Sequence, residues 1–297
     1  MTKLKYLSIT QCKITVLRLD MLADNQNLKT LDLAHNQIQQ LLPVTGRPAR
    51  MLSIEKLMLS GNPLSRFDMT VLASMSRLTS LYLLETQIIH FEVSTRITFQ
   101  NFNTFYFEKN QVTLINLRNL TMPNFESLAL GSNIINKLPS VPERLPKLNY
   151  FALHRTMLSQ LDLSYFRPYQ NLTMIYLYKN QITSVSASSP VQLPVVRLSL
   201  NGNKITTFDI SRCDMPNIYL LDLTDNRLTV IPPVYDKYPQ IQLTMNGNPV
   251  LPCDTLLPYK DQLEKSLFQK DQIDERMACS TTSSLIVGKS RKICCEG

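Results

Sequence analysis

The 297-residue sequence has few of the features that mark an enzyme, a membrane protein or a nucleic-acid-binding protein. It has only three histidines and no G-x-S-x-G, H-E-x-x-H, Walker A or G-x-G-x-x-G motif. No apolar run approaches the roughly 20 residues that a membrane-spanning helix needs. The net charge of +8 is scattered, without the clustered basic residues that a phosphate footprint requires. We therefore expect no catalytic residues, cofactor, membrane span or nucleic-acid partner.

One pattern, L-x-x-L-x-L-x-x-N-x-L, does recur along the chain, and Leu221–Leu228 is a clear copy. Eleven residues occupy its Asn position, and the intervals between them are 22 to 26 residues. They are Cys12, Asn36, Asn62, Thr86, Asn110, Asn133, Thr156, Asn180, Asn203, Asn226 and Asn248. A motif of this kind at this period is the signature of leucine-rich repeats.

The pattern predicts how each repeat folds. Leu221 and Leu223 alternate around Asp222 and point to one side of a short strand, and Leu228 turns back into the same interior. One turn cannot bury its own apolar side, so its neighbours must cover it. The Asn amide pairs with backbone groups at the sharp turn that follows the strand. The sequence therefore predicts an α/β solenoid, a leucine-rich-repeat horseshoe of about eleven coils with a parallel concave sheet and a convex side of short helical and extended segments.

The repeats extend over residues 1–250, and residues 251–297 leave the pattern. In this last part, Leu256, Leu263 and Leu267 fit one face of a helix interrupted by Pro258. We expect this helix to cover the core of the last coil; binding a partner is the alternative. Met1 is followed at once by a repeat in progress, so the cap that a first coil needs is missing, and no signal peptide is visible. We expect a fragment or a truncated gene model, rather than a cytosolic repeat protein with an uncapped end.

Four of the six cysteines, Cys253, Cys279, Cys294 and Cys295, lie just after the last repeat. Such clustering predicts a disulfide-bonded C-terminal cap and hence an oxidising compartment. Four cysteines allow three pairings, and a bridge between the neighbours Cys294 and Cys295 would be strained, so we expect each to have a different partner. A metal site is the competing interpretation, but there is no C-x-x-C pair or nearby histidine.

The other two cysteines and two sequons are more ambiguous. Cys12 is expected to be a buried free thiol, and Cys213 to be free or to bridge to another chain. Asn119 and Asn171 begin N-x-T sequons and are therefore candidate glycosylation sites. Together with the cysteine cap, these sequons modestly support secretion.

Tyrosines gather on the predicted concave face of the middle coils, with charged residues beside them. Tyrosines on a rigid sheet among charges have the composition of a protein-binding hot spot. The competing interpretation is that tyrosine is common on strands. Two strand spacings would keep the only conceivable acid–base pair, Glu108 and His154, about 10 Å apart. The candidate protein-binding residues are Tyr82, Tyr106, Glu108, His154, Arg155, Tyr176, Tyr178 and Lys179.

The C-terminal segment resembles a specific family. N-P-V-L-P precedes Cys253, 25 residues separate it from Cys279, and 14 more precede Cys294 and Cys295 in KICCEG. This spacing resembles the cap of the mosquito leucine-rich immune proteins, the LRIM/APL family. The resemblance implies a secreted haemolymph protein of innate immunity. It also implies disulfide-linked dimers with another leucine-rich-repeat immune protein, which hold a thioester-containing complement-like protein. The chain departs from that family in ending before any coiled coil, which puts dimerisation in doubt.

Three functions follow from these observations. The first is a secreted immune scaffold that binds proteins through its solenoid and cap. The second is an extracellular adhesion protein or receptor ectodomain of the Toll-like or matrix type. The third is a cytosolic repeat adaptor, which would keep all six cysteines reduced. The first is our prediction, and the second is the alternative.

Overall fold

The computed structural model describes residues 3–46, 50–142 and 144–297 and divides into two compact units. The first unit comprises Met1–Met157 and Pro168–Leu172, and the second comprises Leu158–Arg167 and Thr173–Gly297. Each unit is described by itself below.

The first unit contains seven repeats, each contributing one three-residue strand to a parallel sheet. The middle residue of each strand pairs in register with the middle residue of the next, as in Leu31 with Leu57 and Leu57 with Leu81. These middle side chains are buried from Leu31 onward because they point into the interior between repeats. The strands are Tyr6–Ser8, Thr30–Asp32, Lys56–Met58, Ser80–Tyr82, Thr104–Tyr106, Ser127–Ala129 and Tyr150–Ala152.

The return path of the first unit consists of short helical and extended pieces. Leu19–Leu22 and Met69–Leu72 are 3-10 helices, and Asp68 caps the second by accepting a hydrogen bond from the Thr70 backbone N–H at 3.0 Å. The extended pieces pair in parallel between neighbouring repeats. These pairs are Val16–Arg18 with Gln40–Leu42, Arg66–Asp68 with His90–Glu92, and Ile97–Thr98 with Leu120–Thr121.

The second unit contains four repeats, with strands Met174–Tyr176, Arg197–Ser199, Leu220–Asp222 and Gln242–Thr244. Its return path holds the 3-10 helix Leu163–Phe166 and two small parallel sheets. Both units are leucine-rich-repeat β-solenoids, and their seven and four repeats give about eleven turns in the described chain. The predicted fold class is confirmed. The return-path sheets consist of Gln160–Asp162, Ser184–Ser186 and Thr207–Phe208, and of Val191–Gln192 with Cys213–Asp214.

Where a repeat has asparagine at the Asn position, this side chain connects the repeat to the preceding one. The fully buried Asn62 donates from Nδ2 to the carbonyl of Leu59 in its own repeat at 2.8 Å and to that of Leu33 at 2.9 Å. Its Oδ1 accepts the backbone N–H of Ile38 at 2.9 Å. One amide therefore satisfies backbone groups of two turns that water cannot reach.

The residue before the Asn position has a positive φ in all eleven repeats, which the sequence did not predict. Three of these residues are glycines, with φ of 71°, 69° and 68° at Gly61, Gly202 and Gly247. The remaining eight have φ between 52° and 56°, in the left-handed region that is unfavourable for every residue except glycine. They are Gln11, His35, Glu85, Lys109, Ser132, Arg155, Lys179 and Asp225.

The C-terminal segment covers the last repeat of the second unit. Instead of one interrupted helix, the structure has three short ones, Cys253–Leu256, Leu257–Tyr259 and Lys260–Glu264. Leu256 and Leu263 are buried as predicted, whereas Leu267 is only partly buried. The strand Phe268–Gln269 then pairs in parallel with Gln242–Thr244, so Phe268 covers the last layer of the core.

Two disulfides complete the cap, joining Cys253 to Cys295 and Cys279 to Cys294. The adjacent Cys294 and Cys295 lie at the end of the strand Arg291–Cys295. This strand pairs in antiparallel with Gln272–Asp274 and with Ser283–Val287. Successive residues of a strand point to opposite faces, so each of the two sulfurs reaches a different partner.

Candidate protein-binding surface

The eight residues of the predicted binding surface divide between the two units. Tyr82, Tyr106, Glu108, His154 and Arg155 belong to the first unit. Tyr176, Tyr178 and Lys179 belong to the second. In both units the tyrosines alternate with buried strand residues, and they lie on the side of the sheet away from the interior, called the sheet face here.

Tyr82 and Tyr106 form an aromatic pair on the sheet face of the first unit. They end neighbouring strands and pair in register. Their rings stack with centroids 5.0 Å apart and an interplanar angle of 21°. Both side chains are partly buried, because each ring covers the other. The pair is a preorganised aromatic surface that loses little side-chain freedom on contact with a partner.

Glu108 and His154 are close together, so the prediction of about 10 Å between them was wrong. Glu108 Oε1 lies 3.5 Å from His154 Nε2, although one whole repeat separates them. The residue between them on the sheet face is Gly131, and a Cβ built there would lie 2.3 Å from His154 Cε1. The imidazole therefore occupies the space that a side chain at residue 131 would fill, and it reaches across the intervening repeat.

Burial disfavours the charged form of both groups in this contact. It raises the pKa of Glu108, although the Lys109 charge acts in the opposite direction. It lowers the pKa of His154, and the Arg155 charge adds to that effect. The geometry alone would suggest an ion pair, but both pKa shifts favour the uncharged forms. Desolvation therefore weakens this contact as an ion pair.

Exposed charges border the sheet face of the first unit. Arg155 and Lys109 occupy the left-handed position of their repeats, with φ of 53° and 56°. Lys109 Nζ forms an ion pair with Glu85 at 2.5 Å, and this hydrogen bond lowers the pKa of Glu85. Solvent screens such a pair, so it contributes little to stability. These charges can instead select a partner by its own charge pattern.

The second unit has its own aromatic and basic residues on the sheet face. The Arg197 guanidinium carbon lies 5.8 Å from the centre of the Tyr176 ring, a cation–π contact. Tyr178 is partly buried and Lys179 is exposed. The Lys179 side chain extends over Gly202, where an added Cβ would lie 3.1 Å from its Cγ.

The structure corrects two expectations about the remaining cysteines. Cys213, offered as a possible link to another chain, is only 1% exposed, and burial raises the pKa of its thiol to about 11. It lies in a paired strand of the return path, so its sulfur is not available for an interchain bridge. Cys12, expected to be buried, is exposed, because in the described structure only one neighbouring repeat packs against its own.

The two sequon asparagines are exposed, but their amides are engaged. Asn119 Nδ2 donates to the Val93 carbonyl at 2.8 Å, and Asn171 Nδ2 donates to the Pro146 carbonyl at 2.5 Å. A glycan would replace one of the two hydrogens of each Nδ2 and leave the other to donate. Both sites stay predictions.

Within residues 3–46, 50–142 and 144–297, no three His, Cys, Asp or Glu residues gather as metal ligands would. No helix there is long and apolar enough to span a bilayer.

Comparison with known proteins supports the fold. The family model described as leucine rich repeat matches residues 2–52. Adenylate cyclase of Schizosaccharomyces pombe is 24% identical over 229 residues, which are 77% of this chain but 12% of the cyclase. The chain therefore spans only a small part of this curated relative.

Two solved structures have the same fold at low sequence identity. The leucine-rich repeat domain of APL1B has a TM-score of 0.69 at 17% identity, with 99% of this chain and 87% of that chain covered. A chain of the LRIM1/APL1C complex has a TM-score of 0.60 at 15% identity, with 99% and 60% covered. At these identities the likeness shows the fold alone.

Proposed function

We propose that this leucine-rich-repeat protein is a secreted protein-binding scaffold of innate immunity. The aromatic pair on the sheet face of the first unit carries the proposal. Tyr82 and Tyr106 are rigid, amphipathic and only partly buried, so a partner can still remove a large aromatic area from water. Aromatic residues placed in this way dominate the energetics of protein interfaces.

The polar residues beside the pair favour a protein partner over a small molecule. Glu108 and His154 form a half-buried polar contact in which desolvation disfavours both charges, and Lys109 and Arg155 surround it with charge. Few charges at the centre and more at the edge is the usual composition of a protein interface.

The two cap disulfides support a secreted location. Cys253–Cys295 and Cys279–Cys294 close the end of the second unit, and such bonds persist in oxidising compartments. The C-terminal cysteine spacing adds the resemblance to mosquito immune proteins. From it we propose two partners: another leucine-rich-repeat immune protein and a thioester-containing complement-like protein.

Binding of these two purified proteins to the immobilised chain tests the proposal. Biolayer interferometry would compare the wild type with Tyr82→Ser/Tyr106→Ser. A hot-spot residue contributes about 2 kcal/mol, so the double variant is expected to bind at least about thirtyfold more weakly. Tyr6→Ser is the matched control, because Tyr6 is 56% exposed on the first strand of the same sheet, away from the pair.

The results separate the proposal from its alternatives. Tyr6→Ser should bind like the wild type. No binding of either protein by the wild type would refute the immune function and favour an adhesion protein or receptor ectodomain. Equal affinity of the wild type and the double variant would show that the interface does not include Tyr82 and Tyr106.

A further inference from the structure

We propose that three arginines on the return path of the first unit form a binding site for sulfated glycans. Arg96, Arg118 and Arg144 border one open depression of about 540 Å³. The site lies outside the aromatic surface proposed above and does not depend on that function.

Repeat stacking brings the three arginines together. Ile97–Thr98 pairs in parallel with Leu120–Thr121, so Arg96 and Arg118 lie on neighbouring rungs. The backbone N–H of Leu117 donates to the carbonyl of Ser140 at 2.7 Å, which places the segment before Arg144 on the third rung. Parallel rungs are about 4.8 Å apart, so the backbones that carry the outer two arginines are separated by about 10 Å.

The three guanidinium groups lack counter-charges within the part of the chain that the structure describes. Among residues 3–46, 50–142 and 144–297, none of them forms an ion pair and no carboxylate lines the depression. All three side chains are exposed. Like charges held this close repel one another, and an anion bound between them relieves the repulsion.

The chemistry of the depression favours a sulfated polymer. The planar guanidinium donates two parallel hydrogen bonds to a tetrahedral oxyanion, and sulfate presents the same oxygen geometry as phosphate. Three arginines on three successive rungs suit a chain with repeated anionic groups better than one isolated anion.

The walls distinguish the glycan from a nucleic acid. The partly exposed Pro142 provides apolar surface against which a sugar ring can pack, whereas Leu120 and Val141 are buried. No aromatic side chain of the described residues lines the depression, whereas single-stranded nucleic acids are bound by stacking of bases on aromatic rings.

Heparin and chemically desulfated heparin are the probes for the test, with dissociation constants from surface plasmon resonance at low and at physiological salt. The variant Arg96→Ala/Arg118→Ala/Arg144→Ala is expected to bind heparin at least about tenfold more weakly, since three charge-assisted contacts are lost. A matched control removes the same charge from other exposed residues of this unit and should stay within about threefold of the wild type. The control is Arg18→Ala/Arg66→Ala/Arg77→Ala.

Two further measurements make the result specific. Replacing the same three arginines by lysine keeps the charge but removes the planar donors, so it should give intermediate affinity. Circular dichroism and thermal unfolding should match for all variants, because the six arginines are surface residues.

Four outcomes would overturn the proposal. They are no heparin binding by the wild type, equal binding of desulfated heparin, equal losses in the two alanine variants, and tighter binding of single-stranded DNA than of heparin. The first would remove the site, and the second would show that sulfate is not recognised. The third would reduce the effect to net charge, and the fourth would assign the arginines to nucleic acid.

Discussion

Replacing Asn110 by alanine would remove the most extensively bonded amide among the repeat asparagines of the described chain. Its Nδ2 donates to the carbonyls of Leu83 at 2.7 Å and Phe107 at 3.3 Å. Its Oδ1 accepts the Thr86 hydroxyl at 2.8 Å and the backbone N–H groups of Thr86 and Ile88, both at 3.1 Å. Alanine would leave the buried backbone N–H groups of Thr86 and Ile88 without partners, whereas the Phe107 carbonyl keeps the Asn133 amide at 2.9 Å and the Leu83 carbonyl keeps the Thr86 hydroxyl at 3.1 Å.

The expected loss is large for a single substitution. Each buried donor or acceptor left unpaired costs about 1–3 kcal/mol, and water entering the space left by the amide offsets part of the sum. We expect Asn110→Ala to lower the free energy of unfolding by about 4 kcal/mol, near the top of the range for point mutations. Asn110→Asp should be no milder, because a carboxylate oxygen would replace Nδ2 beside the Leu83 carbonyl, 2.7 Å away, and would bury a charge.

Urea denaturation with hydrogen exchange would measure both the size and the location of the effect. Repeat arrays couple mainly to nearest neighbours, so the Thr86 and Ile88 amides should exchange much faster than amides several repeats away. Asn124→Ala is the control, since Asn124 is only partly buried and its amide donates to the Gln100 carbonyl in a solvent-exposed hydrogen bond of 2.7 Å. A change below about 1 kcal/mol for Asn110→Ala, with unchanged exchange at Thr86 and Ile88, would refute the reasoning.

Three other predictions follow from the same structure. Gly131→Ala places a Cβ 2.3 Å from His154 Cε1, so the ring should turn into solvent, and NMR titration should show its lowered pKa rising toward the ordinary value. In the wild type, the unfolded chain binds the His154 proton at a higher pH than the folded chain does, so the free energy of unfolding should fall as the pH drops through about 6.5. Gly131→Ala should weaken this fall. An unchanged midpoint of the His154 titration would contradict the contact. Cys253→Ser opens a bridge with a sequence separation of 42 and should cost about 4 kcal/mol by loop entropy, measured by thermal unfolding; a loss below about 1 kcal/mol would argue against a structural role. Iodoacetamide should label the exposed Cys12 in the native protein but Cys213 only after unfolding, because burial raises the pKa of Cys213 to about 11; equal rates by mass spectrometry would show that Cys213 is accessible.

The repeat architecture could be predicted from the sequence because the leucine and Asn positions recur at a nearly constant interval. Leu221 and Leu223 alternate around Asp222, and the structure has the strand Leu220–Asp222 at that place. The short intervals between repeats predicted short helical and extended return segments, and these are present.

The details of the candidate surface depend on side-chain direction, which spacing does not provide. The strand spacing separates the backbones of Glu108 and His154, but it does not say that the imidazole extends over Gly131. The glycine between them in the same column was the one available signal. The burial of Cys213 was likewise not visible, because the return path has no regular apolar pattern to show which residues pair there.

At the residue before the Asn position of each repeat, the left-handed backbone geometry does not depend on which side chain is present. Gln11, His35, Lys109 and Asp225 all adopt nearly the same φ, although they differ in charge and size. Mutation can therefore alter the chemistry of this edge one repeat at a time, while the turn beneath it keeps its shape. An array built in this way can acquire new specificities by substitution alone, as antibody loops do, but without insertions or a change of scaffold.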